Sequence, residues 1–206
     1  MIKKLGKLNL DYNRLITYFE SSVSGVDTTH VSPLRISTQK QKFAEEGYTE
    51  QQIKSWEEYN PESVMMGIKS WEEYNPESVM MGYLSGNDLI KKYIEARLDL
   101  SMLSSQQVNK EIVRWNIQKQ VPGRFTVPHY DLYQSVKPHT REQIVRLWIP
   151  LEDAKFGHAL FVDNTVLSDF KEGEIYDWDV DDLHAAVNVG FDPRYTLLLY
   201  LRKKSI

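Results

Sequence analysis

The sequence predicts a mainly β domain with flanking helices, built as a jelly roll. Helical periodicities are confined to the part before residue 108. From Glu111 onward apolar residues recur with period two, in short runs. Those runs are separated by turn residues such as Pro122-Gly123, Glu152-Asp153 and Lys171-Glu172-Gly173. Helices first, then many short strands punctuated by turns, is the pattern of a helix-decorated jelly roll. At 206 residues a single domain over 1–206 is expected, with a helical region over 1–108 and a jelly-roll core over 109–206.

The N-terminus opens as a short strand or coil. A helix follows, with Asp11 placed to cap it and Leu15, Ile16, Tyr18 and Phe19 on its apolar side. Ser24-Gly25 ends it, and His30 reads as a solvated loop histidine. A second short helix is expected from Gln39 to Gly47, stopped by the glycine. Thr49-Glu50-Gln51-Gln52 forms a capping box, because Thr at N-cap and Gln at N3 satisfy each other's backbone donors. The helix it starts runs to about Tyr59 and stops at Asn60-Pro61.

A literal repeat follows: residues 53–67 and 68–82 are the same fifteen letters, IKSWEEYNPESVMMG. Solenoids need three or more longer, diverged repeats to bury a core. Two identical copies read instead as a recent tandem duplication or an error of gene assembly, one copy packing natively and the other extending a surface loop or helix at little entropic cost. Four of the six Met and two of the five Trp lie in the repeat, and the Met pairs read as core filler. After Ser85-Gly86-Asn87, the spacing of Leu89, Ile90, Tyr93, Ile94, Arg97 and Leu98 predicts a helix packed across the outside of the sheet.

Strands are expected over 112–118, 125–133, 144–151, 157–162, 174–178, 184–190 and 194–200. Arg114, Asn116 and Gln118 share one face of the first, and Arg146 and Trp148 one face of the third. His129 and Asp131 stand two apart on a strand, so they point to the same side. With the distal His184 they make two imidazoles and one carboxylate, a set that holds ferrous iron on one face and leaves other positions open. His139 is the main rival ligand but lacks a carboxylate two residues on, and His158 reads as a core or rim histidine. Arg194 and Thr196 also share a face, and a guanidinium beside a hydroxyl is a good seat for a carboxylate. Asp177, Asp179, Asp181 and Asp182 cluster before His184; they lack the glycine and terminal Glu of a calcium loop and read as a solvated rim.

Composition excludes several classes. Net charge is −4, which gives no electrostatic case for nucleic-acid binding. There is no cysteine, hence no disulfide framework and no thiolate chemistry. No apolar h-region follows Met1–Gly6 and no run approaches membrane-spanning length, so a cytoplasmic protein without membrane contact is expected.

These residues resemble the 2-oxoglutarate- and iron(II)-dependent oxygenases, whose pattern is His-x-Asp, a distal His, and an Arg about ten residues later with Ser or Thr two beyond. The likeness covers about residues 110–202. It is finer toward the aspartyl/asparaginyl β-hydroxylase-like branch, through Arg146–Leu151, Gly173-Glu174, Trp178-Asp179, His184, Asn188 and Arg194. The resemblance implies a cupin-like double-stranded β-helix. It implies Fe(II) on His129, Asp131 and His184, with 2-oxoglutarate and O2 as cosubstrates. The far carboxylate of oxoglutarate would pair with Arg194 and Thr196, with Gln118, Asn116 and Trp148 also lining its pocket. The substrate would be an amino-acid side chain, free or in a peptide, or a small metabolite. The alternative is a non-catalytic or oxoglutarate-independent metal-binding cupin, against which Arg194 argues.

Overall fold

The structure, a computed structural model, describes residues 2–22, 40–41, 43–45, 47–59, 81–84, 88–99, 101, 103, 108–130, 143–179 and 181–204. Three helices carry labels: α1 (Tyr12–Ser22), α2 (Glu50–Tyr59) and α3 (Asp88–Glu95). The strands are β1 (Lys3–Lys7), β2 (Met81–Leu84), β3 (Val108–Gln120), β4 (Arg124–His129), β5 (Ile144–Pro150), β6 (His158–Val162), β7 (Thr165–Leu167), β8 (Glu174–Asp177), β9 (His184–Asn188) and β10 (Arg194–Lys203).

Local chemistry accounts for the helix starts. The Arg14 amide donates to Asp11 Oδ1 at 2.9 Å, capping α1. At α2 the Gln52 amide donates to Thr49 Oγ1 at 3.3 Å and the Thr49 amide to Gln52 Oε1 at 2.8 Å, which is the reciprocal capping box. The short helix expected over 39–47 is seen at residues 40–41 and 43–45. In α3, Ile94 is fully buried whereas Leu89 is 76% exposed. Leu89 therefore lies outside the apolar stripe the spacing had drawn.

Among the described residues all strand pairs are antiparallel, in two sheets. The larger has the order β1-β8-β5-β10-β3-β2 and the smaller β4-β9-β6-β7. From β3 to β6, and again from β7 to β10, the chain alternates between sheets, which closes them into a double-stranded β-helix. Two strands of the larger sheet come from the N-terminal half. β1 edges β8, and β2, which contains the last two residues of the second repeat, pairs with β3. The rest of the repeat from residue 60 to 80 lies outside the described residues, and so does the end expected for α1 at Ser24-Gly25.

The larger sheet is buried on both faces, which explains its near-continuous apolar runs. Its outer face carries Ile117, Leu147, Ile149, Leu197 and Leu199 beneath Leu8, Leu15, Phe19, Ile94 and Leu98. Its inner face adds Ile144, Trp148, Tyr176, Leu198 and Tyr200 to a second cluster that the smaller sheet completes with Leu160 and Val162. Period two decides the side of every residue on β10: Tyr195, Leu197 and Leu199 face out, while Arg194, Thr196, Leu198 and Tyr200 face in. No helix among the described residues is long and apolar enough to cross a membrane.

Candidate functional site

The inner face of the larger sheet carries polar side chains in cross-strand rows. Arg194 stands opposite Gln120, Thr196 opposite Gln118 and Pro150, and Leu198 between Asn116 and Trp148. Tyr200 stands between Arg114 and Arg146, and Trp148 also pairs across to Tyr176. Asn116, Gln120, Arg146, Arg194 and Thr196 are all buried. Gln120 crosses to the smaller sheet, donating from Nε2 to the Ala186 carbonyl at 3.0 Å. Polar groups belong at such depth only when something pairs with them. Yet Asn116 Oδ1, Gln120 Oε1, Trp178 Nε1 and Arg194 Nε have no hydrogen-bond partner among the described residues.

Arg194 is the extreme case. It is 3% exposed, and its Nη1 donates to the Ala159 carbonyl at 2.9 Å. Its guanidinium carbon lies 6.0 Å from the centre of the Trp148 ring. No carboxylate pairs with it among the described residues. Burial alone pulls its pKa down from the usual arginine value to about 10.

On the smaller sheet, β4 and β9 place His129 directly opposite His184, with ring centres 4.3 Å apart. His184 Nδ1 lies 3.1 Å from the Asp182 carbonyl. A carbonyl only accepts, so Nδ1 carries the proton and Nε2 keeps its lone pair. A guanidinium only donates, and Arg146 Nη1 sits 3.5 Å from that same Nε2, which agrees with this tautomer. Holding one ring N–H on a backbone carbonyl, so that the other nitrogen keeps its lone pair, is how ligating histidines are prepared; here that nitrogen lies against Arg146. Arg146 also lies over Trp178, its guanidinium carbon 4.2 Å from the ring centre, and Trp178 is 5.3 Å from His184.

The two expected imidazoles are thus neighbours, whereas Asp131 lies outside the described residues, as do His30 and His139. Arg194, Thr196, Asn116, Gln118 and Trp148 lie on the inner face of one sheet. Asp179 and Asp181 are exposed, as a solvated rim requires, but Asp177 is not: burial pushes its carboxyl up to about 6, against the pull of Arg146 and Lys3. His158 is buried and faces Lys155 and Asp192 rather than the histidine pair. What sequence reasoning missed is Arg146 against His184. The available signal was a lone charge inside the apolar run Ile144-Val145-Arg146-Leu147-Trp148, on the parity that faces inward.

No protein-family model matches the chain, and no curated protein matches it in sequence. Among solved structures it resembles EvdMO1, with a TM-score of 0.54 and 15% identity over 99% of this chain. It spans only 47% of EvdMO1, about half of that protein's length. It is also similar to the non-heme alpha-ketoglutarate-dependent epimerase SnoN from nogalamycin biosynthesis, with TM-score 0.46, 14% identity and 84% of each chain covered. The viral collagen prolyl hydroxylase of Paramecium Bursaria Chlorella virus-1 gives TM-score 0.44 and 15% identity over 60% of this chain and 79% of its own. At such identities the likeness is one of fold.

Proposed function

We infer that the chain is a 2-oxoglutarate- and Fe(II)-dependent oxygenase. The observation that carries this reading is Arg194. A guanidinium kept at 3% exposure with an open Nε is a seat waiting for an anion. The distal carboxylate of oxoglutarate is an anion of that kind, and Thr196 stands beside it on the same face of β10.

His129 and His184 would hold the iron with Asp131; the reading is supported by the Asp182 carbonyl, which keeps the His184 proton on Nδ1 and leaves Nε2 an acceptor. When bound, the iron with oxoglutarate and dioxygen supplies oxidation of an unactivated C–H bond, coupled to decarboxylation of oxoglutarate to succinate. The protein's own part is positioning. Arg194 and Thr196 fix one end of the diacid, and Asn116, Gln118 and Trp148 line the wall above them. The apolar cluster around Leu160, Val162, Phe170 and Leu198 keeps water out. Arg146 lies over Trp178 beside His184.

The branch resemblance makes an Asp or Asn side chain, free or in a peptide, the first substrate class to try, with a small metabolite next. The test is succinate formation with Fe(II), oxoglutarate and dioxygen, with and without such substrates. Succinate production that requires Fe(II) and disappears in His184→Ala is the expected result. Iron-loaded protein that turns over no oxoglutarate with any of them would leave only the metal-binding cupin.

A further inference from the structure

We propose that His158 and Asn188 are positioning residues for Arg194, holding its guanidinium through one backbone carbonyl, that of Asp192. The proposal rests on Arg194 being the carboxylate seat. Arg194 opens β10 directly after the turn through Phe191, Asp192 and Pro193. The Asp192 carbonyl accepts two side-chain hydrogen bonds, from Asn188 Nδ2 at 2.8 Å and from His158 Nε2 at 3.1 Å. His158 Nδ1 accepts from the Lys155 amide at 3.3 Å, so its proton is on Nε2, where the carbonyl needs it. Asn188 is fully committed as well. Its Nδ2 also donates to the Gln120 carbonyl at 2.9 Å, and its Oδ1 accepts from the Gly190 amide at 3.2 Å.

The residue after His158 holds the same arginine directly, since Ala159 offers the carbonyl that Arg194 Nη1 donates to. The first two residues of β6 therefore hold both the chain that delivers Arg194 and the guanidinium itself. With Nη1 spent on Ala159, the open edge of the fork is the one carrying Nε. His158 and Asn188 are only 2% and 0% exposed. Burying an imidazole and an amide costs more than burying apolar side chains unless every polar atom is paired. The turn already has backbone anchors: Val189 N to Gly157 O at 2.9 Å, and Leu151 N to Tyr195 O at 3.0 Å. Two further polar side chains converging on one carbonyl are explained if the placement of the residue two positions on matters, because carboxylate recognition tolerates little misplacement.

The test compares His158→Gln, which keeps a donor toward Asp192, with His158→Asn, which is too short to reach it. Asn188→Ser removes the second bond to that carbonyl, together with the bond to the Gln120 carbonyl, and repeats the test on another residue. Oxoglutarate and Mn(II) affinities are measured by titration, and the ¹⁵Nε resonance of Arg194 is identified by its loss in Arg194→Lys. We expect His158→Asn and Asn188→Ser to weaken oxoglutarate binding by about tenfold or more, and His158→Gln by less than about threefold, with Mn(II) affinity unchanged. The Arg194 Nε–H should shift and exchange faster in the first two variants only. Folded His158→Asn and Asn188→Ser proteins with wild-type oxoglutarate affinity and an unmoved Arg194 resonance would overturn the proposal. If the wild type binds no oxoglutarate, the cosubstrate reading fails, and the resonance, which needs no ligand, decides the positioning claim by itself.

Discussion

Arg194 and His184 carry opposite burdens. The guanidinium is charged and buried, and it spends Nη1 on a backbone carbonyl while Nε stays open. A carboxylate arriving there gains charge-assisted hydrogen bonds against a donor that has already lost its water. Arg194→Ala should therefore weaken oxoglutarate binding by about 100-fold or more while leaving metal affinity in place. Arg194→Lys should recover little of it, because an ammonium lacks the planar fork. His184→Ala should do the reverse, abolishing metal-dependent binding; a calorimetric titration of Mn(II) into each variant separates the two cases. The pairing of Arg194 with Thr196 was legible from the sequence, because period two fixes it without tertiary knowledge. The contact of Arg146 with His184 was not, since it joins β5 of one sheet to β9 of the other and depends on how the sheets face.

At the scale of elements, the turns at Gly157 and Gly190, before β6 and after β9, are tightly constrained. A Cβ at Gly190 would meet the Phe156 carbonyl oxygen at 1.8 Å, and one at Gly157, where φ is +83°, would meet Gly190 N at 2.2 Å. Backbone so close leaves no room for a side chain, so Gly190→Ala should cost at least about 3 kcal/mol, read from denaturant unfolding. His158 sits beside these glycines as a neutral, buried imidazole. Burial holds its pKa below the usual 6.5; the Asp192 carbonyl opposes that shift, and the nearby Arg194 charge adds to it. Its charged form is thus favoured in the unfolded chain. Stability from this residue is complete above pH 6.5 and is lost as pH falls toward its depressed folded value. The metal-free wild type should lose stability over that interval relative to His158→Gln, which does not titrate; parallel curves for the two proteins would refute this. Helix starts were legible element by element, since Asp11, Thr49 and Gln52 act within four residues of sequence. β2 was not, because Met81-Gly82-Tyr83-Leu84 becomes a strand only by pairing with β3.

Across the whole molecule, the jelly-roll class was readable because both faces of β5 and β10 are buried and their apolar runs show it. What pattern alone did not reveal is that the N-terminal half supplies both edges of the larger sheet. The repeat bears directly on this. Residues 66–67 have the same letters as 81–82, so deleting 68–82 restores Met-Gly before Tyr83-Leu84 and leaves the α2 sequence intact. The deletion should leave the unfolding midpoint within about 3 °C of the parent, because the length of the chain joining α2 to β2 enters closure entropy only logarithmically. By contrast, Leu197→Ala in the outer cluster should cost about 2–5 kcal/mol.

The most direct measurement of the central claim is a calorimetric titration of oxoglutarate into Mn(II)-loaded protein, run in parallel on wild type and Arg194→Ala. Saturable one-site binding that needs the metal and is lost in Arg194→Ala is the predicted result. Equal binding in the two proteins, or none in the wild type, would contradict the account.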